Sequence, residues 1–261
     1  MSASSRLVVD RDSRGVCTLT LNRPDKRNAF DGPLIADLHS ALTQAAHDSA
    51  VRIVVLTGVG SAFCAGMDLD HMRRQGTLSA SENIDDALKF AHCLDALDRC
   101  PKPTIARING SAYGGGLGLI ACADIAIGVD SAKFALTEVR LGIVPAVISP
   151  YVVAAIGARQ SRRWFLSGGP ISADLAEQIG LLHEVVMPDQ LDAAVHAEVE
   201  LLLRGGPAAQ RAAKQLVRDV SVPDDTTHRH TAELLAELRA SSEGQEGLRA
   251  FNEKRAPDWR S

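Results

Sequence analysis

Glu138 is a single carboxylate in an otherwise apolar run, Lys133-Phe-Ala-Leu-Thr-Glu138-Val-Arg-Leu-Gly-Ile-Val-Pro145. Burial disfavours the charged form of a carboxyl group and raises its pKa, which would bring Glu138 toward the range useful for moving protons. A plain ion pair with Arg140, or a solvated face, explains the same residues, and the run alone leaves these readings open. A second segment, Asn109-Gly-Ser-Ala-Tyr-Gly-Gly-Gly-Leu-Gly-Leu119, leads from a strand end through glycines into an apolar helix. A helix start presents unpaired N–H groups and the positive end of its dipole, and glycine lets a ligand oxygen approach closely. In the third segment, Ala62-Phe-Cys-Ala-Gly-Met-Asp-Leu69, Gly66 allows a sharp turn, so that amides around Met67 could point at a ligand instead of into a ladder. An ordinary strand-to-loop turn is the alternative there.

Other chemistries find less support. Gly116-Leu-Gly-Leu-Ile-Ala121 fits the dinucleotide pattern G-x-G-x-x-A, with Glu138 about the usual distance downstream. The fingerprint needs its glycines in the turn immediately after the strand, however, and the strand here ends at Ile108. No HExxH and no Cys/His group at zinc spacing occurs among the eight histidines, and His228-Arg-His230 reads as a polar loop. A G-x-S-x-G nucleophile elbow is absent. Neither a metal site nor a separate cofactor is expected.

Those segments must be held by a scaffold, and its outline is readable. Gly15–Leu21 alternates and is rich in β-formers; Asn22-Arg-Pro24 ends it. Asp31 can cap a helix with Pro33 in its first turn, followed by Leu34, Ile35, Leu38, Ala41, Leu42 and Ala45 at helical spacing. Strands are expected at 53–57, 104–108 and 124–129, with helices near 82–98 and 115–123 between them. That alternation implies crossover connections and a mainly parallel sheet. After residue 150 the strand signal nearly vanishes, and 172–179, 189–203, 207–220 and 231–238 read as helices, with a turn at Gly205-Gly206-Pro207.

Composition bounds the class. With 261 residues, 46% of them apolar and 23% charged, the chain resembles average globular proteins, and a net charge of −4 offers no global attraction to nucleic acid or an acidic membrane. Arg159, Arg162 and Arg163 remain candidates for local anion contacts. Five cysteines without a CxxC pair point to reduced thiols. Met1–Asp12 lacks a secretory pattern, and the longest apolar stretch, 143–156, is broken by Pro145, Ser149 and Pro150. A cytoplasmic address with no membrane span is expected.

The three segments, in this order and at these separations, resemble the enoyl-CoA hydratase/isomerase (crotonase) superfamily. The resemblance runs from Leu21-Asn-Arg-Pro-Asp-Lys-Arg-Asn-Ala29 through 63–69, 109–116, Cys122-Ala-Asp-Ile125 and 134–145 to Ile179-Gly-Leu-Leu182. It implies an α/β fold, a crotonase-like spiral of ββα units over residues 1–200, with a C-terminal helical region, 201–261, that forms homotrimers or a dimer of trimers. It further implies an acyl-CoA thioester substrate whose carbonyl oxygen is held by the N–H groups of Met67 and Gly115, with Glu138 as acid/base. Lys26, Arg27, Ala29, Ala65, Asp68 and Leu69, together with Gly114 and Gly118, would bind substrate and CoA. The pocket walls would come from the segment near 71–100.

At one place the chain departs from the family's two-glutamate hydratase pattern: the first glutamate falls on Gly118. One glutamate would then serve both proton steps of hydration, or the chemistry would need only one shuttle, as in Δ3-Δ2-enoyl-CoA isomerisation. A non-catalytic acyl-CoA-binding paralogue is the third reading. Tyr113–Gly118 and Leu141–Tyr151 look most like bacterial hydratases of branched, methylglutaconyl-like thioesters, which favours hydration.

Overall fold

The computed structural model describes residues 5–220 and 227–260. The first four residues of the stretch 1–12, and residues 221–226 and 261 of the C-terminal region, lie outside the described residues.

The chain opens with strands β1 (Leu7–Arg11) and β2 (Val16–Leu21), then helix α1 (Gly32–His47). Three turns of a spiral follow, each a long strand, a short strand and helical structure. The first is β3 (Ile53–Gly58), β4 (Ala62–Cys64), α2 (Leu69–Gln75) and α3 (Ala80–Asp98). The second is β5 (Thr104–Ile108), β6 (Ser111–Tyr113) and α4 (Gly115–Cys122). The third is β7 (Ile125–Val129), β8 (Lys133–Ala135), a short 3-10 turn at Glu138–Leu141 and α5 (Ser149–Ser167). Then come β9 (Ile171–Ser172), α6 (Ala173–Gln178), β10 (Glu184–Val186), α7 (Leu191–Leu203), α8 (Pro207–Asp219), α9 (Thr227–Ala240) and α10 (Ser242–Glu253).

The long strands form one sheet in the order β1-β2-β3-β5-β7-β10, parallel except for the β1/β2 pair. The short strands form a second sheet, β4-β6-β8-β9, parallel except for β8/β9. This is the expected α/β spiral of ββα units. All six residues of β3 are buried, as befits a strand flanked by parallel neighbours and covered on both faces. Asp31 caps α1 as expected: its side chain accepts the Leu34 N–H at 3.0 Å.

Several expectations need correction. β1, the short strands β4, β6, β8, β9 and β10, and the helices α2, α5 and α10 were not read from the sequence. Inside α5 Gly157 has φ 74° and ψ 158°, so two helical pieces meet at a break and no continuous 3.6-residue period exists to be read. The 228–230 segment, expected as loop, belongs to α9, where His230 pairs with Asp219 at 3.1 Å. The division at 200/201 falls within α7. The C-terminal helices are tied to the sheet layer by Lys214, whose ammonium lies 2.6 Å from the Asp124 carboxylate, and by Arg52, which donates to the carbonyls of Gly205 and Trp259. Among the described residues no helix is long and apolar enough to cross a membrane.

Ahead of α1 and ahead of α2, one buried polar cluster fixes two loops against each other. Asn28, fully buried and in the left-handed region (φ 58°), donates through Nδ2 to the Val59 and Ala62 carbonyls and accepts the Arg23 N–H through Oδ1. The Arg23 guanidinium, 14% exposed, reaches the Ala29 carbonyl, Asp68 at 3.0 Å and Asp31 at 3.3 Å. Asp31 and Asp68 are the N-caps of α1 and α2, so one cation holds two helix starts. Burial pushes the Asp68 carboxyl up, but the amides of His71 and Asp70 and the Arg23 guanidinium outweigh it and hold the group below its ordinary value.

Removing one partner from such a buried cluster leaves uncompensated charge. Arg23→Ala is therefore expected to cost about 3–5 kcal/mol of stability by urea denaturation. Arg11→Ala, which breaks only an exposed pair with Asp48, is expected to cost less than about 1 kcal/mol.

Candidate active site

The loop fixed by Arg23 and Asn28 presents main chain to the neighbouring segment. Phe30 and Met67 form an isolated parallel bridge in which Phe30 N–H donates to the Gly66 carbonyl at 2.7 Å and Asp68 N–H donates to the Phe30 carbonyl at 2.8 Å. Ala65 N–H donates to the Arg27 carbonyl at 2.9 Å. In an extended segment successive N–H groups point to opposite sides. With the bridge using the groups on either side of it, the Met67 N–H is left facing away from Phe30 with no acceptor among the described residues. Cys64 supports the turn: burial pushes its thiol up to about 12, so it is protonated and donates to the Asn28 carbonyl at 3.2 Å.

The second amide comes from the start of α4. Gly115 is the first residue of that helix, and the first N–H groups of any helix lack an intrahelical acceptor. The two turns are in close contact, because a Cβ built on Gly66 (φ 84°) would fall 2.7 Å from the Tyr113 carbonyl oxygen and 3.6 Å from the Gly115 nitrogen. Only glycine permits this approach. The Phe90 ring closes over Gly115 from the α3 side, 3.1 Å from where a Cβ would stand, and packs on Phe30 with centroids 5.1 Å apart.

Glu138 starts the 3-10 turn after β8, and the backbone brings its carboxyl group over the same place. A Cβ on Gly114 (φ 49°) would lie 2.9 Å from Glu138 Oε1. Glu138 Oε2 is buried and accepts no hydrogen bond from the protein. Burial raises the Glu138 pKa; a contact with its own backbone N–H pulls weakly the other way. The ion pair with Arg140 does not form: Arg140 is exposed and its side chain lies against Gly168.

All three features face one cavity of about 330 Å³. Of the eleven residues singled out from the sequence, Ala65, Met67, Leu69, Gly114, Gly115 and Glu138 line it. The other five do not. The Asp68 side chain is committed to the α2 cap and Arg23, and Ala29 is buried with its carbonyl bound by Arg23. Lys26 and Arg27 are on the exposed loop outside, Lys26 pairing with Asp70 at 3.3 Å. Gly118 is covered by Ile148. The segment near 71–100 contributes Met72 and Phe90, while the opposite wall, 143–148, was not anticipated, because apolar residues read alike in a core and in a cavity wall. Among the described residues, Glu138 is the only carboxylate or cationic side chain of the lining. The arrangement can hold an oxygen on two N–H donors, stabilise negative charge that develops there, and move a proton on the adjacent carboxylate.

Comparison with known proteins shows the family. The family model for enoyl-CoA hydratase/isomerase matches residues 11–261. The 2,3-dehydroadipyl-CoA hydratase of Escherichia coli is 34% identical over 98% of this chain and 99% of its own. Mevalonyl-coenzyme A hydratase sidH of Aspergillus fumigatus is 32% identical over 94% of this chain and 91% of its own. Among solved structures, an enoyl-CoA hydratase from Shewanella pealeana superposes with a TM-score of 0.95 at 40% identity, covering 98% of this chain and 96% of that one. Pseudomonas aeruginosa AtuE superposes with a TM-score of 0.94 at 33% identity, covering 98% and 100%. Spiral fold, glycine-shaped amide pair and end-to-end similarity together make this chain a member of the enoyl-CoA hydratase/isomerase (crotonase) family.

Proposed function

We propose that the chain is an enoyl-CoA hydratase, adding water across the 2,3 double bond of a 2-enoyl-CoA. The observation that carries the reading is the half-buried Glu138, whose Oε2 is buried without a protein partner, over Gly114 and beside the free amides of Met67 and Gly115. The thioester carbonyl oxygen accepts from both amides. Ionised Glu138 orients a water molecule and takes its proton as the oxygen bonds to C3. The electron pair of the double bond moves onto the thioester oxygen as an enolate, and protonated Glu138 then returns the proton to C2. Each amide donor of this kind is worth roughly 2.7–4 kcal/mol. No metal or separate cofactor enters the scheme.

Lys26 and Arg27, exposed beside Ala65, would meet the phosphates of CoA outside the cavity. The finer reading of a branched, methylglutaconyl-like acyl group rests on the residue patterns at 113–118 and 141–151. Isomerisation of a 3-enoyl-CoA is the runner-up, favoured by the single carboxylate in the lining, since one base can remove a proton from C2 and return it at C4. The assembly proposed is a homotrimer or dimer of trimers through the C-terminal helices, where α8 buries no residue and Phe251 is 83% exposed in the single chain. Five buried free cysteines suit a reducing, cytoplasmic setting.

Four outcomes test this reading. Glu138→Gln is expected to lower kcat on crotonyl- or methylglutaconyl-CoA by about 100- to 10,000-fold with little change in KM. Oxygen from heavy-oxygen water should appear at C3 of the product; double-bond migration without incorporation indicates the isomerase, and an unchanged rate in the variant removes Glu138 from the chemistry. The same substitution should stabilise the fold at neutral pH. Because the folded pKa is raised, the folded state binds more protons than the unfolded state between the ordinary value of 4.5 and the folded value. Wild-type stability is thus full below 4.5 and declines as pH rises through the folded value, a decline that Gln lacks; melting curves at pH 4 and pH 7.5 read the difference. Finally, Gly114→Ala puts a methyl group 2.9 Å from Glu138 Oε1 in a left-handed conformation, and the displaced carboxyl group should cost about 100-fold in kcat by stopped assay at saturating substrate.

A further inference from the structure

The cavity has an open and a closed end. Leu69, Leu141, Ile143 and Val144 form a rim whose side chains are 45–68% exposed, whereas Phe90 and Ile148 at the other end are 5% and 3% exposed. On the reading proposed above, the bulky CoA moiety stays at the rim and the acyl chain points toward Ile148. The volume, about 330 Å³, is at the low end of the roughly 300–1,000 Å³ common for small-molecule sites, so the inner wall limits what fits.

Ile148 reaches that wall through a vacancy in α4. A Cβ on Gly118 would fall 2.4 Å from Ile148 Cγ2 and 3.0 Å from its Cβ, with Leu94 Cδ2 at 3.4 Å behind. Rotating χ1 cannot clear a Cβ contact, and a β-branched side chain has few rotamers to try. The Ile148 backbone is itself held, its carbonyl accepting the Val152 N–H at 3.1 Å. A side chain at 118 and isoleucine at 148 therefore exclude each other. The missing side chain at 118 admits the isoleucine, which then separates the cavity from the interior of α4.

We propose that Ile148, seated on Gly118, is the specificity-determining residue that closes the acyl end of the site and restricts the enzyme to short acyl-CoA thioesters. This rests on the cavity being the acyl-CoA site. Its test compares crotonyl-CoA with decenoyl-CoA for the wild type, Ile148→Ala and the milder Ile148→Val.

The ratio of kcat/KM for the long over the short substrate should rise about tenfold or more in Ile148→Ala, with an intermediate change in Ile148→Val. An unchanged ratio in an active enzyme overturns the inference and leaves the hydratase reading standing. A wild type inert to every enoyl-CoA overturns both. The steric pairing has an independent readout in melting temperature. Gly118→Ala should destabilise the fold, and Gly118→Ala/Ile148→Ala should recover part of that loss; strictly additive effects would contradict the pairing.

Discussion

One main-chain bridge between Phe30 and Met67 governs the geometry of the candidate site. It spends the hydrogen-bonding groups on one side of the 65–69 segment and leaves the Met67 N–H directed at the cavity. Its position is set by Arg23, Asn28, Asp31 and Asp68, a buried polar network in which each charge has an opposite partner. Buried networks of this kind are a poor source of stability but a good source of register, because any slip leaves a charge or a carbonyl unpaired. Two helix starts share the same cation and Met67 directly precedes one of them, so displacement of either would disturb the other and the amide beside it.

Glu138 illustrates the opposite arrangement. The residue is half-buried, its Oε2 is buried and unmatched, and no ion pair to it forms among the described residues, which costs stability in the charged form and raises its pKa. Arg140 follows only two residues later, yet it points toward Gly168 and leaves the carboxyl group alone. A poorly satisfied acid in an apolar cavity is what proton transfer to carbon requires, since a well-solvated or paired carboxylate would be a weaker base.

How much of this was readable depended on the range of the interaction. The Asp31 cap, the buried run of β3 and the crossover order all follow from residues within a few positions of one another. Glycines 66, 114 and 115 stood out as a type, although which carboxylate or carbonyl each accommodates became visible only once the strands were paired. The Arg23 cluster joins positions 45 apart, and nothing local marks Asp68 as a buried cap instead of a ligand contact. Gly118 was legible as a missing glutamate but not as the seat of Ile148, thirty residues later in the chain. Helix α5 was hidden by the Gly157 break, which interrupts the period that would have revealed it.

The apolar rim at Leu69, Leu141, Ile143 and Val144 has a thermodynamic consequence. These side chains are exposed in the folded chain, so the hydrophobic interior is incomplete on that side. A chain of methylenes lying between them and Ile148 would play the part of an absent core residue, removing apolar surface from solvent on both partners. Occupancy then adds to the stability of the folded chain in proportion to the logarithm of ligand excess, and the fold and its cargo share a single core.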